Sequence, residues 1–218
     1  MKLVELKGLN RLGAGSLIGS GLLFMGRGIL DFVAGTPPSS GLKILIWSAS
    51  HRAILAFENE LLFFAALLLV PALIALCRGF VAKRRAVAIT ACGIFAVAVP
   101  ILAVLDIIHG RLIYPVFGIS AHTPEVAEFI VAIFYGGLHA VGIMMGIATI
   151  MLSICMRGGA FGKPVVILGL VTGVLDIVGA YPFLIGPIPT LICGAFFAAW
   201  FIAVGWRLWV IDSQGSGM

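Results

Sequence analysis

Residues 29–33, 104–108 and 174–178 read ILDFV, VLDII and VLDIV, and together they contain three of the four aspartates in the chain. These aspartates are 75 and then 70 residues apart, and each lies near the end of a long apolar segment that a second one follows. The pattern predicts a single transmembrane domain, residues 1–218, in which a helical hairpin occurs three times. The predicted hairpins are residues 1–82, 83–160 and 161–212, followed by a flexible tail, 213–218.

The composition indicates a protein surrounded by lipid. Of its 218 residues, 61% are hydrophobic and 11% are charged, and the mean hydropathy is +1.19. Soluble domains contain about 25% charged residues. Only helices and closed barrels satisfy their backbone hydrogen bonds inside a bilayer, and a barrel requires short alternating segments instead of these long apolar runs. The sequence therefore predicts an all-α integral membrane protein.

Six apolar segments are long enough to cross the bilayer as helices, which takes about 20 residues. The start of the fourth segment is marked by Thr123-Pro124-Glu125, which offers an N-cap, a first-turn proline and an acidic residue. Pro182 and Pro187 bracket the short turn before the last segment. The six predicted spans are residues 12–33, 54–77, 86–108, 126–154, 164–181 and 187–208.

Basic residues are divided unequally between the two ends of the predicted bundle. An excess of Lys and Arg marks the cytoplasmic side, so both termini are predicted to be cytoplasmic in a multi-pass protein of the cell (inner or plasma) membrane. The sequence pI of about 9.3 follows from this asymmetry, and no nucleic-acid partner is expected. The ten basic residues on the predicted cytoplasmic side are Lys2, Lys7, Arg11, Arg78, Lys83, Arg84, Arg85, Arg157, Lys163 and Arg207, against Arg27, Lys43, Arg52 and Arg111 on the other side or in the outer half.

Two shorter segments have patterns of their own. The basic residues 1–11 precede an apolar segment and would also fit a cleaved signal peptide, although the length of that segment favours a retained helix. Residues 42–47 are apolar but too short to span the bilayer. They predict an interfacial or re-entrant piece, with Trp47 at the level of the lipid headgroups.

Pairs of glycines four residues apart predict close packing of helices. This small-xxx-small spacing lets two backbones approach each other, either within one chain or between the copies of a homo-oligomer. Packing within the chain is the simpler interpretation. The pairs are Gly15/Gly19, Gly142/Gly146 and Gly169/Gly173.

Ionisable side chains gather in the outer third of the predicted bundle. At about 1.5 Å per residue, Asp176 lies about 20 Å from the basic end, and the other candidates lie about 24–31 Å from it. A charge in the hydrocarbon core costs about 2.5–3.5 kcal/mol unless it is paired or hydrated. We therefore predict that Arg27, Glu58, Asp106, His139 and Asp176 converge on a polar cavity open to the outer face. The full set of candidates is Arg27, Asp31, Glu58, Glu60, Asp106, His139 and Asp176.

The sequence allows several different pairings of these groups. Asp176 is close in height to Arg27 and can form a buried ion pair with it. Arg27 can instead pair with Asp31, four residues along the same helix. Asp31 and Asp106 can also simply mark the outer ends of their helices, and His139 can simply be hydrogen-bonded to a neighbouring helix.

The histidines raise the alternatives of a metal site and a haem site. Asp106 and His109 are three residues apart, as are His122 and Glu125, and two histidines with two carboxylates could hold zinc, iron or copper. Polar residues at helix ends are a simpler explanation of the same pattern. A bis-histidine haem is disfavoured because His109 is about one and a half helical turns higher than His139.

Three classes of function remain open. Tandem hairpins imply an axis along the membrane normal, as in parallel-repeat transporters, and favour a transporter-like protein or a binder of a small solute or lipid. An outer-leaflet enzyme acting on a lipid or isoprenoid could use a buried carboxylate or a metal. The small size of the loops would also suit an accessory subunit that binds a membrane-protein partner.

Overall fold

The computed structural model describes residues 2–119 and 121–214, and this part of the chain is helical, with one isolated β-bridge in a loop. The all-α prediction is therefore confirmed. The last four residues of the predicted tail, 215–218, lie outside the described part. The seven α-helices of the described residues are α1 (Lys2–Ala34), α2 (Gly41–Ser50), α3 (Arg52–His109), α4 (Pro124–Met156), α5 (Lys163–Gly179), α6 (Pro182–Ile185) and α7 (Pro187–Gln214).

Helix α3 is two antiparallel limbs joined by a sharp bend. Arg84 has the non-helical backbone angles φ −141° and ψ 60°, and it separates the first limb (52–83) from the second limb (84–109). The limbs lie side by side, as shown by the hydrogen bond of 3.0 Å that the Asn59 side chain donates to the carbonyl oxygen of Asp106. The predicted basic loop at residues 78–85 is thus part of a helix that bends instead of a separate loop.

Six helical segments form a closed ring in which every neighbour is antiparallel. Helix α1 packs on the first limb of α3, the second limb packs on α4, α4 packs on α5, α5 packs on α7, and α7 returns to α1. In each pair of neighbouring helices, later residues of one helix contact earlier residues of the other. On α1, for example, Gly13 lies against Ala75 and Gly26 lies against Leu61. Short connections between successive segments impose this order.

Five of the segments are long and apolar enough to cross a membrane. They are Gly8–Ala34, Arg52–Phe80, Arg84–Leu112, Pro124–Met156 and Pro187–Ser213. The fold is therefore that of a polytopic helical membrane protein. Helix α5, Lys163–Gly179, has 17 residues and covers most of the predicted fifth span, 164–181, and the sixth crossing of the bilayer stays a prediction. At about 1.5 Å per residue α5 is roughly 25 Å long.

The two ends of the ring differ in their contents. At the end that holds both chain termini, which we call the terminal end, the ring is filled by large side chains such as Phe95, Leu152, Trp200 and Phe201. A salt bridge of 3.2 Å between Arg11 and Asp212 joins α1 to α7 there. The opposite end, which we call the cavity end, has an incompletely filled interior.

Glycines occur where the backbones of the ring come closest. One glycine of the predicted pair on α4 meets one of the pair on α5, because a Cβ on Gly146 would lie 2.7 Å from the carbonyl oxygen of Gly173. The same position on Gly15 of α1 has no atom within 4 Å. The close packing predicted from the spacing therefore occurs within the chain on α4 and α5, whereas Gly15 does not contribute to it.

Residues 42–47 are helical and too short to span the bilayer, and their interfacial position stays a prediction. These residues belong to α2, a short helix at the cavity end that packs mainly on α4. Trp47 is 8% exposed and donates a hydrogen bond of 2.9 Å to the carbonyl oxygen of Ala34. It is therefore a buried connection between α1 and α2, and its place at the level of the headgroups stays a prediction. Leu42 and Ile46, one turn apart, are the exposed apolar residues of this helix.

Candidate functional site

A cavity of about 410 Å³ lies inside the ring at the cavity end. Residues from α1, both limbs of α3, α4, α5, α6 and α7 line it. It reaches the surface beside Phe32 and Phe183, which are 43% and 64% exposed. Phe197, in the same lining, is packed against Phe201 of the filled terminal half, so the cavity is closed in that direction. The polar lining residues are Arg27, Asp31, Thr36, Tyr135, Asp176 and Thr190.

The main ion pair of the site joins Arg27 on α1 to Glu58 on the first limb of α3. Arg27 donates from Nε and Nη2 to Glu58 Oε1 over 3.1 and 2.9 Å. The Glu58 side chain is 3% exposed and that of Arg27 is 18% exposed. Arg27 is therefore in the cavity wall, and Glu58 is buried behind it.

This pair corrects both partners that the sequence suggested for Arg27. Neither Asp176 nor Asp31 forms the direct salt bridge; Asp31 contributes only a longer-range attraction. The reason is the order of the ring, in which α1 neighbours the first limb of α3 and α7. Helix α5, which carries Asp176, lies beyond α7, so similar height in the membrane does not bring the two side chains together.

Asp176 is buried in the cavity wall without a counter-ion. It is 9% exposed, and its Oδ2 atom has no hydrogen-bond partner among the described residues. Its Cβ lies at the crossing of α4 and α5, where the absence of a side chain on Gly146 leaves room for it. Asp176 therefore lines the cavity, and its Oδ2 atom lies buried in the wall without a hydrogen-bond partner among the described residues.

Asp31 lines the same cavity from α1 and in a more open setting. It is half-buried, and Tyr135 of α4 lies next to it with its hydroxyl group directed at the carboxylate. Arg27, one turn earlier on α1, attracts it electrostatically. The positive charge of Arg27 thus attracts Asp31 as well as Glu58, whereas it does not pair with Asp176.

Asp106 and His109 form a second polar cluster that is separate from the cavity. His109 Nδ1 lies 2.9 Å from Asn59 Oδ1, and its ring stacks on Phe134 with centroids 4.1 Å apart. Because the Asn59 amide nitrogen donates to the carbonyl oxygen of Asp106, the Asn59 oxygen accepts and His109 Nδ1 carries a proton. This cluster holds the two limbs of α3 and α4 together at the cavity end.

The predicted metal constellation is not formed. Among the described residues there is no group of three or more His, Cys, Asp or Glu side chains that could hold a metal ion. His109 and Asp106 are buried between helices, whereas His122 and Glu125 are exposed at the start of α4. The loop of twelve residues that joins the two pairs does not fold them onto each other.

His139 and Glu60 also lie outside the cavity lining. His139 Nδ1 is 2.9 Å from the carbonyl oxygen of Ala180, and the ring makes an edge contact with Tyr181, so it fastens α4 to the end of α5. Glu60 is exposed, and its carboxylate is 3.1 Å from the hydroxyl oxygen of Tyr114. Burial and then this hydrogen bond raise the pKa of the Tyr114 phenol.

The structure thus brings together some of the five residues predicted to converge. Arg27 and Asp176 line the cavity, and Glu58 joins it through Arg27, whereas Asp106 and His139 do not reach it. Tyr135 was missed by the sequence analysis. A tyrosine inside an apolar helix, one turn before His139, is the signal that could have indicated it.

The ring of apolar helices around an internal cavity defines the class, a polytopic helical membrane protein with a pocket at one end. Comparison with protein-family models, with curated proteins and with solved structures finds no match to this chain. Any function must therefore be argued from the cavity itself.

Proposed function

We propose that this protein is a transporter-like membrane protein that binds a small solute in the cavity at the cavity end of the ring. The observation that carries the proposal is the cavity of about 410 Å³ enclosed by all six packed segments. Pockets for small molecules have volumes of about 300–1,000 Å³.

The lining of the cavity supports the same proposal. Ligand pockets are mainly apolar, with a few polar groups that fix the orientation of the ligand. Here aromatic and aliphatic side chains surround Arg27, Asp31, Tyr135 and Asp176. A subunit that only packs against partners has no need of such a space, and the buried carboxyl of Asp176 would be an uncompensated cost in it. The cavity therefore favours solute binding over the accessory and enzymatic alternatives.

We further propose that the cavity end faces the outside of the cell and that both termini are cytoplasmic. The excess of basic residues at the terminal end supports this orientation. In intact cells, and in a chain whose four cysteines are replaced by alanine, Ser39→Cys should react with a membrane-impermeant maleimide. Arg157→Cys, also exposed but at the terminal end, should react only after permeabilisation. The reverse pattern would refute the orientation.

The proposal also predicts how the cavity responds when it is filled. Gly194 of α7 lines the cavity, and a Cβ added to it would have no atom within 4 Å. Gly194→Leu should therefore place a side chain in the cavity without displacing a helix. N-ethylmaleimide should modify Cys193, which also lines the cavity, and Gly194→Leu should slow this reaction about tenfold. Peptide mapping of the purified protein measures the modification at each cysteine.

The matched control adds the same side chain outside the cavity. Gly136 of α4 is exposed, and a Cβ added to it would also have no atom within 4 Å, so Gly136→Leu should leave the Cys193 rate unchanged. Cys92, which is buried in the terminal half, should stay unmodified in all three proteins. Equal labelling of Cys193 with and without Gly194→Leu would contradict an accessible cavity, and with it the proposed function.

A further inference from the structure

We propose that the solute bound in this cavity is a lipophilic monocation and that its positive charge is recognised by the carboxylate of Asp176. The inference rests on the proposed function, and it adds the chemical class of the solute and the group that selects it. It follows from which charges around the cavity already have partners.

The only cation in the described lining is already used by the protein. Arg27 donates two hydrogen bonds to Glu58 and also attracts Asp31 on its own helix. An anionic solute would have to displace Glu58 from Arg27 and leave that carboxylate buried at 3% exposure without a partner. Breaking such a pair is costly, so the cavity is poorly suited to anions.

Asp176 presents the opposite situation. It is 9% exposed, lines the cavity, and has one oxygen without a hydrogen-bond partner among the described residues. No salt bridge to Asp176 forms among the described residues, and the titratable side chain that interacts with it is the Cys193 thiol on α7. His139 lies outside the lining, with its Nδ1 at the Ala180 carbonyl oxygen, and the guanidinium of the described lining, Arg27, is engaged by Glu58. A cationic ligand would supply the positive charge that Asp176 lacks.

The rest of the wall suits a cation that carries apolar substituents. The lining includes the rings of Phe24, Phe32, Tyr135, Phe183 and Phe197. Aromatic faces attract cations, most strongly where water is excluded, and they also cover apolar groups. A small hydrated inorganic cation would gain little from these walls, whereas an organic ammonium ion would contact both the rings and the carboxylate.

The test compares two probes of nearly the same shape. Benzyltrimethylammonium is a permanent cation, and neopentylbenzene replaces its nitrogen by carbon and is uncharged. Both are added to the full-length protein in lipid nanodiscs, and the readout is protection of Cys193 from N-ethylmaleimide at known concentrations of the probe in the bilayer phase. We expect the cation to protect at a concentration about tenfold lower or more, because its charge adds attraction to the carboxylate and to the aromatic rings that the hydrocarbon lacks. Benzenesulfonate, an anion of similar size, should not protect.

Variants of the carboxyl groups assign the preference to a residue. Asp176→Asn should abolish the advantage of the cation while leaving protection by neopentylbenzene unchanged, and Asp176→Glu should retain it. Glu60→Gln, which removes an exposed carboxylate outside the cavity, should have no effect. The unprotected Cys193 labelling rate and the melting temperature verify that each variant is folded.

The outcomes separate this inference from the proposed function. Equal protection by the two probes in the wild-type protein would overturn the cation assignment while the binding cavity stands. Loss of the cation preference in Asp31→Asn, with Asp176→Asn unaffected, would overturn the role of Asp176. If neither probe protects and Cys193 is inert, the binding cavity itself is refuted.

Discussion

Glu58→Gln is expected to lower the free energy of unfolding by about 3–5 kcal/mol, the cost of removing one partner from a buried ion pair. The Glu58 side chain is 3% exposed and receives both hydrogen bonds from Arg27. Without it the guanidinium stays charged, because arginine does not lose its proton in proteins. Unfolding in mixed micelles with an increasing fraction of dodecyl sulfate, followed by circular dichroism, measures the loss.

The reciprocal change should cost less. Arg27→Gln leaves Glu58 without a cation, but a carboxyl group can take up a proton and become neutral, which a guanidinium cannot. The double variant Arg27→Gln/Glu58→Gln should recover part of the stability lost in Glu58→Gln, since no buried charge is left unpaired. Equal losses in the two single variants, or a double variant that loses the sum of both, would contradict a structural ion pair.

The sequence could predict this membrane fold because the signals for it are strong and local. Runs of apolar residues and the Thr123-Pro124-Glu125 start mark helices directly, and the start is confirmed by the hydrogen bond from Val126 N to Thr123 Oγ1 over 3.4 Å. Such signals depend on residues that are close in the chain. They fix where a helix begins and ends along the sequence.

The pairing of charges could not be predicted, because the height of a residue along its helix does not determine which helices are its neighbours in the ring. Arg27 and Asp176 are similar in height, yet α1 and α5 are not neighbours, and the long arginine side chain reaches Glu58 on the adjacent helix instead. The prediction that Asp106 reaches the cavity is wrong for a related reason. Its pentapeptide matches those of Asp31 and Asp176, but Asp106 is buried beside the first limb of α3, where its carbonyl oxygen accepts from Asn59, and it does not line the cavity. The threefold hairpin repeat stays a prediction.

Gly173→Leu is expected to be the other severe change, because no side chain fits between α4 and α5 at their crossing. A Cβ on Gly173 would lie 2.7 Å from the carbonyl oxygen of Gly146, and one on Gly146 would lie 2.7 Å from the carbonyl oxygen of Gly173. These atoms belong to the backbone, so only separation of the helices could relieve the overlap. Overpacking of this kind costs about 1–3 kcal/mol, and more where the surroundings cannot yield.

The separation should also be visible at the cavity, since Asp176 lies less than one helical turn after Gly173. In Gly173→Leu we expect lower stability in the dodecyl sulfate titration together with faster maleimide labelling of Cys193. Gly136→Leu adds the same side chain to an exposed position of α4, and it should change neither quantity. Size-exclusion chromatography with light scattering completes the test. If Gly173→Leu dissociates an oligomer while the stability and the Cys193 rate remain those of the wild type, the glycines serve contacts between copies of the chain, and the packing of α4 on α5 does not depend on them.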